Sequence, residues 1–143
     1  MADVDHSYYA KILNNIIISG YTSVAVGQPD LISLKRAKYV LVEGNYLRDV
    51  AHVLIMTDKG SFIKVTHNRL FNTYHSGMNL QASNHDIVVD YNYFEKQGIG
   101  VRGPVYNLID TDIGGFYINS YNTIARYNVI ESSGAVSYTH LRA

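Results

Sequence analysis

Apolar residues recur at fixed distances around a series of asparagines. In Ile63–Leu70 and in Ile87–Phe94, apolar residues stand five and three positions before an asparagine, and another stands two positions after it. Because side chains alternate between the two faces of a strand, this spacing predicts two short strands joined by a turn, with one apolar face. The pattern occurs at Asn15, Asn45, Asn68, Asn92 and Asn128.

The asparagines repeat with a nearly constant period. Asn45, Asn68 and Asn92 follow one another at intervals of 23 and 24 residues. A further short apolar strand is predicted after each turn, and no segment shows a sustained helical periodicity. One such coil cannot bury its own apolar side, whereas stacked coils can. We therefore predict an all-β parallel solenoid of about five coils, each of roughly 21–30 residues.

The asparagines have a physical role at the turn. A tight turn between two strands favours a residue that tolerates a left-handed backbone, and asparagine does. Stacked amides can also hydrogen-bond to one another along the axis. We therefore predict a structural asparagine ladder. His67, Tyr91 and Tyr127 each precede one of these asparagines and are predicted to stack on the outer surface.

Composition narrows the classes of protein. The chain has 143 residues, of which 47% are hydrophobic and 17% charged, so it can form one folded domain. Its 12 basic and 12 acidic side chains argue against a dedicated nucleic-acid binder. No apolar run approaches the roughly 20 residues of a membrane span. The absence of cysteine excludes disulfides and thiolate metal sites.

The repeat resembles the right-handed parallel β-helix of the pectin-lyase-like superfamily over about residues 10–134. That superfamily includes polysaccharide lyases, glycoside hydrolases, epimerases, esterases, tailspikes and adhesins, so the resemblance does not choose an activity. It implies a polysaccharide as substrate or ligand, and a secreted, periplasmic or cell-surface location. Residues 1–10 carry no signal-peptide pattern. The oligomeric state is left open.

The ends of the chain lie outside the repeat. Residues 1–9 carry no motif and are expected to be a frayed or truncated start. Residues 135–143 also lack the pattern, and their last five residues resemble a translated adaptor, so we expect an artefactual tail on a fragment of a longer protein. Residues 103–114 fit either a lateral loop or part of an extra coil.

The resemblance places a reactive groove on the strand that follows each turn and its short third strand. These strands are predicted at Val53–Thr57, Ser76–Leu80, Ile99–Val101 and Phe116–Ile118. The candidate catalytic residues on and beside them are His52, Lys59, His75 and Arg102. The candidate substrate-binding residues are Tyr74, Asn79 and Gln81. His52 and His75 each follow a turn asparagine by seven residues, so we expect them on consecutive coils.

Three functions fit these residues. A polysaccharide lyase needs a cation beside the substrate carboxylate and a base at the adjacent carbon, which Arg102 with Lys59 or His75 would supply. A glycoside hydrolase needs two carboxylates about 5–10 Å apart, and Asp58 with Asp110 or Asp112 would supply them. A non-catalytic tailspike or adhesin, the third possibility, requires neither a cation with a base nor a pair of carboxylates.

The same three aspartates are the candidate metal ligands, with Ca²⁺ as the cofactor that they would suit. The clustered acidic ligands typical of many calcium-dependent pectate lyases are not evident in the sequence. The lyase is the function that we favour at this point.

Overall fold

The computed structural model describes residues 2–18, 30–50, 52–73, 76–81, 83–97, 114–118 and 120–131. Every regular element within these residues is a β-strand. In chain order the strands are β1 (Ala2–Asp5), β2 (Lys11–Leu13), β3 (Ile16–Ile18), β4 (Ile32–Lys35), β5 (Lys38–Glu43), β6 (Tyr46–Val50), β7 (Val53–Asp58), β8 (Ser61–Thr66), β9 (Arg69–Thr73), β10 (Ser76–Leu80), β11 (His85–Asp90), β12 (Tyr93–Gln97), β13 (Gly114–Ile118), β14 (Tyr121–Arg126) and β15 (Val129–Glu131).

Every third strand pairs in parallel, which produces three stacked sheets. Sheet A has the order β1-β4-β7-β10-β13, sheet B the order β2-β5-β8-β11-β14, and sheet C the order β3-β6-β9-β12-β15. Each repeat of the chain therefore adds one strand to each sheet. This arrangement confirms the predicted all-β, solenoid-like architecture with parallel strands.

The apolar positions of the pattern form the core between the sheets. In sheet B, Val65 pairs in register with Val89, and in sheet C, Leu70 pairs with Phe94. All four side chains are fully buried. Burial of one such side chain stabilises the fold by about 1.5–3 kcal/mol, so these rows account for much of its cohesion. The inward direction predicted for the central repeats is confirmed.

The five asparagines are joined by hydrogen bonds that all run in one direction. The backbone N–H and the Nδ2 of Asn45 both donate to Oδ1 of Asn68, at 2.9 Å each. The same pair of bonds links Asn15 to Asn45, Asn68 to Asn92, and Asn92 to Asn128. Four of the amides, those of Asn45, Asn68, Asn92 and Asn128, also donate to backbone carbonyls, so this asparagine column satisfies buried polar groups of the turns.

The left-handed residue of each turn is the one before the asparagine. His67, Tyr91 and Tyr127 have φ angles of 53°, 54° and 55°, and Asn14 and Gly44 are also left-handed. The expectation that the column asparagines themselves would take this conformation is wrong. The N–H and the side chain of each asparagine both point to the next asparagine of the column. The left-handed conformation that turns the chain is therefore taken by the preceding residue.

Left-handed residues recur at other corners with the same period. In the three central repeats they are spaced five residues apart: Tyr39, Gly44 and Asp49; Phe62, His67 and Asn72; Asp86, Tyr91 and Lys96. A non-glycine residue in this region costs about 1–2 kcal/mol, so contacts made by the surrounding structure must hold these corners.

The stacked arrangement begins before the first residue of the sequence pattern. The pattern starts at Ala10, but β1 already pairs with β4 from Ala2↔Ile32 to Asp5↔Lys35. Of the strands predicted for the reactive groove, Val53–Thr57 lies in β7, Ser76–Leu80 is β10, and Phe116–Ile118 lies in β13. Three other stretches lie outside the described residues: Ile99–Val101, residues 103–113 of the region 103–114, and residues 135–143.

Candidate functional site

His52 and Asp30 form a polar pair at the amino end of sheet A. His52 immediately precedes β7, and Asp30 lies beside it, just before β4. Nδ1 of His52 lies 2.7 Å from Oδ1 of Asp30, and their side chains are only 13% and 12% exposed. Because a carboxylate can only accept, the imidazole donates from Nδ1 in this contact, and the neutral tautomer that does so has Nε2 as its acceptor nitrogen.

A second hydrogen bond fixes the backbone at this point. The hydroxyl of Thr73 donates to the backbone carbonyl of His52 at 2.7 Å. Thr73 ends β9, in the repeat that follows. Asp30, in the preceding repeat, therefore holds the ring of His52, and Thr73, in the following repeat, holds its backbone.

Asp30 is a residue that the sequence analysis missed. It stands 22 residues before His52, which is close to one repeat. Residues one period apart lie side by side in a solenoid, so a search for charged residues one period from each candidate histidine would have found it. The irregular first interval of 30 residues, between Asn15 and Asn45, obscured that signal.

The outer face of β7 is buried rather than solvated. Met56 is not a member of the hydrophobic core cluster, yet its side chain is only 6% exposed. It lies in register with Ser33 on β4 and Asn79 on β10, and both of these polar residues are buried as well. Oγ of Ser33 and Oδ1 of Asn79 have no hydrogen-bond partner. This face carries neutral polar groups, in contrast to the charged groove expected from the sequence.

The carboxyl end of sheet A carries the remaining candidates that the structure describes. Asp58 is half-buried and lies in register with Lys35 of β4. Lys59 and Gln81 are both exposed. Lys59 takes a left-handed conformation with φ of 53°, which agrees with a turn role. The N–H of Gln81 donates to the carbonyl of Thr57 and extends the sheet.

The two ends of β7 are too far apart to act on one bond. Lys59 follows His52 by seven residues, and a strand rises about 3.3 Å per residue, so the two residues stand roughly 23 Å apart. The structure therefore does not bring His52 and Lys59 together. The other candidates, Tyr74, His75, Arg102, Asp110 and Asp112, lie outside the described residues.

The outer surfaces of sheets B and C carry stacked side chains. His67, Tyr91 and Tyr127 form one stack with ring centroids 5.1 and 5.0 Å apart, which confirms the predicted aromatic stacking. On sheet C the guanidinium of Arg69 lies between the rings of Tyr46 and Tyr93, at 5.6 and 5.5 Å. These contacts join neighbouring repeats.

A second stack follows one edge of sheet B and was not predicted. Its members are Tyr9, Tyr39, Phe62, His85 and Tyr121, with successive centroids 4.9–5.8 Å apart. The rings of Phe62 and His85 meet edge to face, at 79°, whereas the other neighbouring pairs are close to parallel.

Two titratable groups on these surfaces are perturbed by hydrogen bonds. The pKa of the Asp86 carboxyl is lowered, chiefly because it accepts a hydrogen bond from His85. The pKa of the Tyr93 phenol is raised, chiefly because its hydroxyl donates to the Glu131 carboxylate. Neither group has Asp30 or His52 among its hydrogen-bond partners.

Among the described residues there is neither a metal-binding cluster nor a membrane-spanning helix. The described residues hold no cluster of three or more histidine, aspartate or glutamate side chains that could bind a metal ion. No helix capable of crossing a lipid bilayer occurs in the part of the chain that the structure describes.

Comparisons with protein-family models, with curated proteins and with solved structures return no match to this chain. Function therefore has to be argued from the geometry.

Proposed function

We propose that this chain is part of a right-handed parallel β-helix of the pectin-lyase-like type, with about five coils and a structural asparagine ladder. The support is the pairing of every third strand, together with the asparagine column and the near-constant spacing of its central members. By resemblance, such a protein would be secreted, periplasmic or on the cell surface, and would bind polysaccharide rather than nucleic acid or membrane.

We further propose that it acts on an acidic polysaccharide by proton abstraction and β-elimination. The observation that carries this proposal is the short, largely buried contact between Asp30 and His52. A carboxylate on Nδ1 fixes the tautomer of the imidazole and stabilises the imidazolium that forms when the ring takes a proton.

The reaction would proceed as follows. Nε2 of His52 takes the proton from the sugar carbon next to the uronic acid carboxylate. The released electron pair forms a carbon–carbon double bond as the glycosidic carbon–oxygen bond breaks, and the departing oxygen takes up a proton. Arg102 keeps its proposed role as the cation that neutralises the carboxylate, and His75 its role as a second acid or base. Lys59 has no place in this scheme, because it stands at the other end of β7.

The test is an assay for unsaturated sugar ends. The chain is incubated with a panel of polyuronides and glycosaminoglycans, with Ca²⁺ and with chelator, while ultraviolet absorbance and reducing ends are both followed. We expect absorbance to grow, and the initial rate to fall at least a hundredfold in His52→Ala and about tenfold in Asp30→Asn. Lys35→Ala is the matched control, since Lys35 is an exposed cation on the same sheet.

The same assay contains the outcomes that would contradict the proposal. Loss of activity in Lys59→Ala, with His52→Ala unaffected, would move the base to the other end of β7. New reducing ends without absorbance would indicate hydrolysis, for which Asp58 with Asp110 or Asp112 is the candidate pair. If a well-folded protein produced neither absorbance nor new reducing ends, both the lyase and the hydrolase assignments would be wrong.

A non-catalytic, polysaccharide-binding or structural β-helix is the second candidate. The observation that favours it is the buried outer face of β7, where Met56 occupies a position at which an enzyme of this architecture would need solvent and substrate. Retention of the chain on an immobilised polysaccharide, without any turnover, would support this alternative.

A further inference from the structure

The outer face of sheet B is a strip with an aromatic margin on each side. The edge stack stands where the strands begin, and the turn stack, made of His67, Tyr91 and Tyr127, stands where they end. The members of the edge stack are Tyr9, Tyr39, Phe62, His85 and Tyr121. Phe62 and His67 bound β8 in this way, and five residues of strand span about 16 Å. The strip is therefore about 16 Å wide and crosses the strands of successive repeats.

Cations and aliphatic side chains share the middle row of this strip. In register from one repeat to the next, the row consists of Lys11, Leu41, Lys64, Val88 and Ile124. These positions alternate along their strands with the buried row of Val65, so they belong to the outer face. Lys11 and Lys64 are exposed, and neither forms an ion pair or a hydrogen bond with another described residue. Two strand spacings separate them, which is about 10 Å.

The carboxylates of the strip are less accessible than its lysines. Asp90 is buried, with its Oδ2 3.6 Å from Nη2 of Arg126. Asp86 is half-buried and accepts two hydrogen bonds from side chains of the protein. Glu43 is half-buried in the row beside the lysines. Because the lysines are exposed, a ligand that approaches the strip meets positive charge first, which favours an anionic ligand.

The margins of the strip offer ring edges and hydroxyl groups. Tyr39 and Tyr91 each lie between two other rings of their stack, with centroids 4.9–5.1 Å apart and planes within 19° of parallel. Both faces of these two rings are covered, yet the residues are 46% and 50% exposed. Solvent therefore reaches their edges and hydroxyls. The positive ring edge and the phenol O–H suit an anionic, hydroxylated ligand, whereas a nucleobase would need a free ring face for stacking.

We propose that the outer face of sheet B binds an acidic polysaccharide that lies across the strands, at a site separate from Asp30 and His52 on sheet A. The class of ligand rests on the function proposed above, and the site is a second, non-catalytic one. A sugar in an extended chain advances by about one strand spacing, so carboxylates on alternate sugars would meet Lys11 and Lys64.

The aliphatic residues of the middle row determine the preferred polysaccharide. The sugars between the two lysines and beyond them lie over Leu41 and Val88. A carboxylate on such a sugar would be desolvated against an aliphatic side chain without a cation beside it, which costs free energy. The strip therefore favours a polysaccharide whose acidic and neutral sugars alternate over one that is acidic at every sugar.

The experiment measures the Kd of oligosaccharides of equal length, from hyaluronan and from polygalacturonate, by isothermal titration calorimetry. The full chain carries His52→Ala, so that turnover does not disturb the titration. We expect hyaluronan, in which acidic and neutral sugars alternate, to bind more tightly. Lys64→Gln should raise its Kd about tenfold, because one charged contact is lost, and Lys64→Arg should bind as Lys64 does. Glu43→Gln should lower the Kd, because it removes a like charge from the strip.

Two further variants separate this site from general effects of charge and from the margins. Lys35→Gln removes the same charge from an exposed position on sheet A and should leave the Kd unchanged. Tyr91→Phe removes one hydroxyl and keeps the ring, and should raise the Kd about threefold. Phenylalanine is tolerated in the left-handed conformation of Tyr91, since Phe62 adopts it.

The proposal for sheet B and the lyase proposal fail in different ways. Binding that depends on Lys64, without turnover in the chain that retains His52, would support the site on sheet B and contradict the lyase. Turnover without such binding would contradict the site on sheet B alone.

Three other results would overturn the proposal. Lys64→Gln and Lys35→Gln could weaken binding equally, which would indicate attraction by overall charge. Polygalacturonate could bind more tightly than hyaluronan, which would contradict the spacing of the lysines. Oligothymidylate could bind more tightly than either, which would make the strip a surface for nucleic acid.

Discussion

The central repeats and the last repeat follow the same sequence pattern but reach different degrees of burial. Val65 and Val89 are fully buried, whereas Ala125, which continues their row in register, is exposed. The pattern sets the direction of a side chain, because alternation along a strand decides which face it joins. Burial requires a neighbouring repeat on both sides, and among the described residues the repeat of Ala125 pairs with a neighbour on one side. Stability in this fold therefore belongs to pairs of repeats more than to any repeat by itself.

The largest expected effect comes from a charge placed in the shared row. Val65→Asp puts a carboxylate between the fully buried side chains of Val42 and Val89. We expect the free energy of unfolding to fall by about 3–5 kcal/mol, a large part of the total for a small domain. The measurement is chemical denaturation followed by circular dichroism.

Ala125→Asp is the matched variant, because it places the same charge in the same row at the open end. We expect it to change the free energy of unfolding by less than about 1 kcal/mol, since water reaches the new carboxylate. Equal losses in the two variants would show that burial in this row does not depend on position along the stack.

The sequence predicted this fold more fully than it predicted the candidate site. The row of Val65 and Val89 could be read directly, because a constant period forces equivalent residues into register. The pair of Asp30 and His52 could not, since the longer first interval hid their one-repeat relation. The burial of Met56 on β7 could not be predicted from the sequence either. The alternation of side chains along a strand predicts which face a side chain joins, but it does not predict which residues cover that face.

The turn asparagines give a second and smaller contrast. Asn68 donates to the carbonyls of Val42 and Thr66 and exchanges hydrogen bonds with the asparagines on either side. Asn68→Ala leaves these buried groups without partners, and we expect a loss of about 2–4 kcal/mol by thermal and chemical unfolding. Asn128→Ala should cost roughly half as much, because among the described residues Asn128 bonds to one asparagine of the column, Asn92. A greater loss at Asn128 would contradict the account of the column as a shared structure.

The smallest effect is a dependence on pH at the contact between the last two repeats. Asp86 accepts from His85 and from Asn122, and its pKa lies below the ordinary value of 3.8. Because this pKa is lower in the folded protein than in the unfolded chain, the carboxylate stabilises the fold at every pH above its pKa in the unfolded chain. The stabilisation disappears as the pH falls through the pKa of the folded protein. Asp86→Asn should therefore melt slightly below the wild type at neutral pH.

A series of thermal melts at decreasing pH checks this expectation. The two melting temperatures should converge in acid, where the wild-type carboxylate also becomes neutral. A difference that widens as the pH falls would show that the perturbed carboxylate is not the cause.

The regular placement of left-handed corners also determines where this chain can change in length. Within a repeat the corners are five residues apart, so an insertion between Phe62 and Asn72 would move a side chain into a backbone conformation meant for its neighbour. The passage from sheet C to sheet A is not constrained in this way. It takes two residues between Thr73 and Ser76 but sixteen between Gln97 and Gly114. Loops added at this passage would therefore leave the five-residue spacing of the left-handed corners, and with it the pairing of the strands, unchanged.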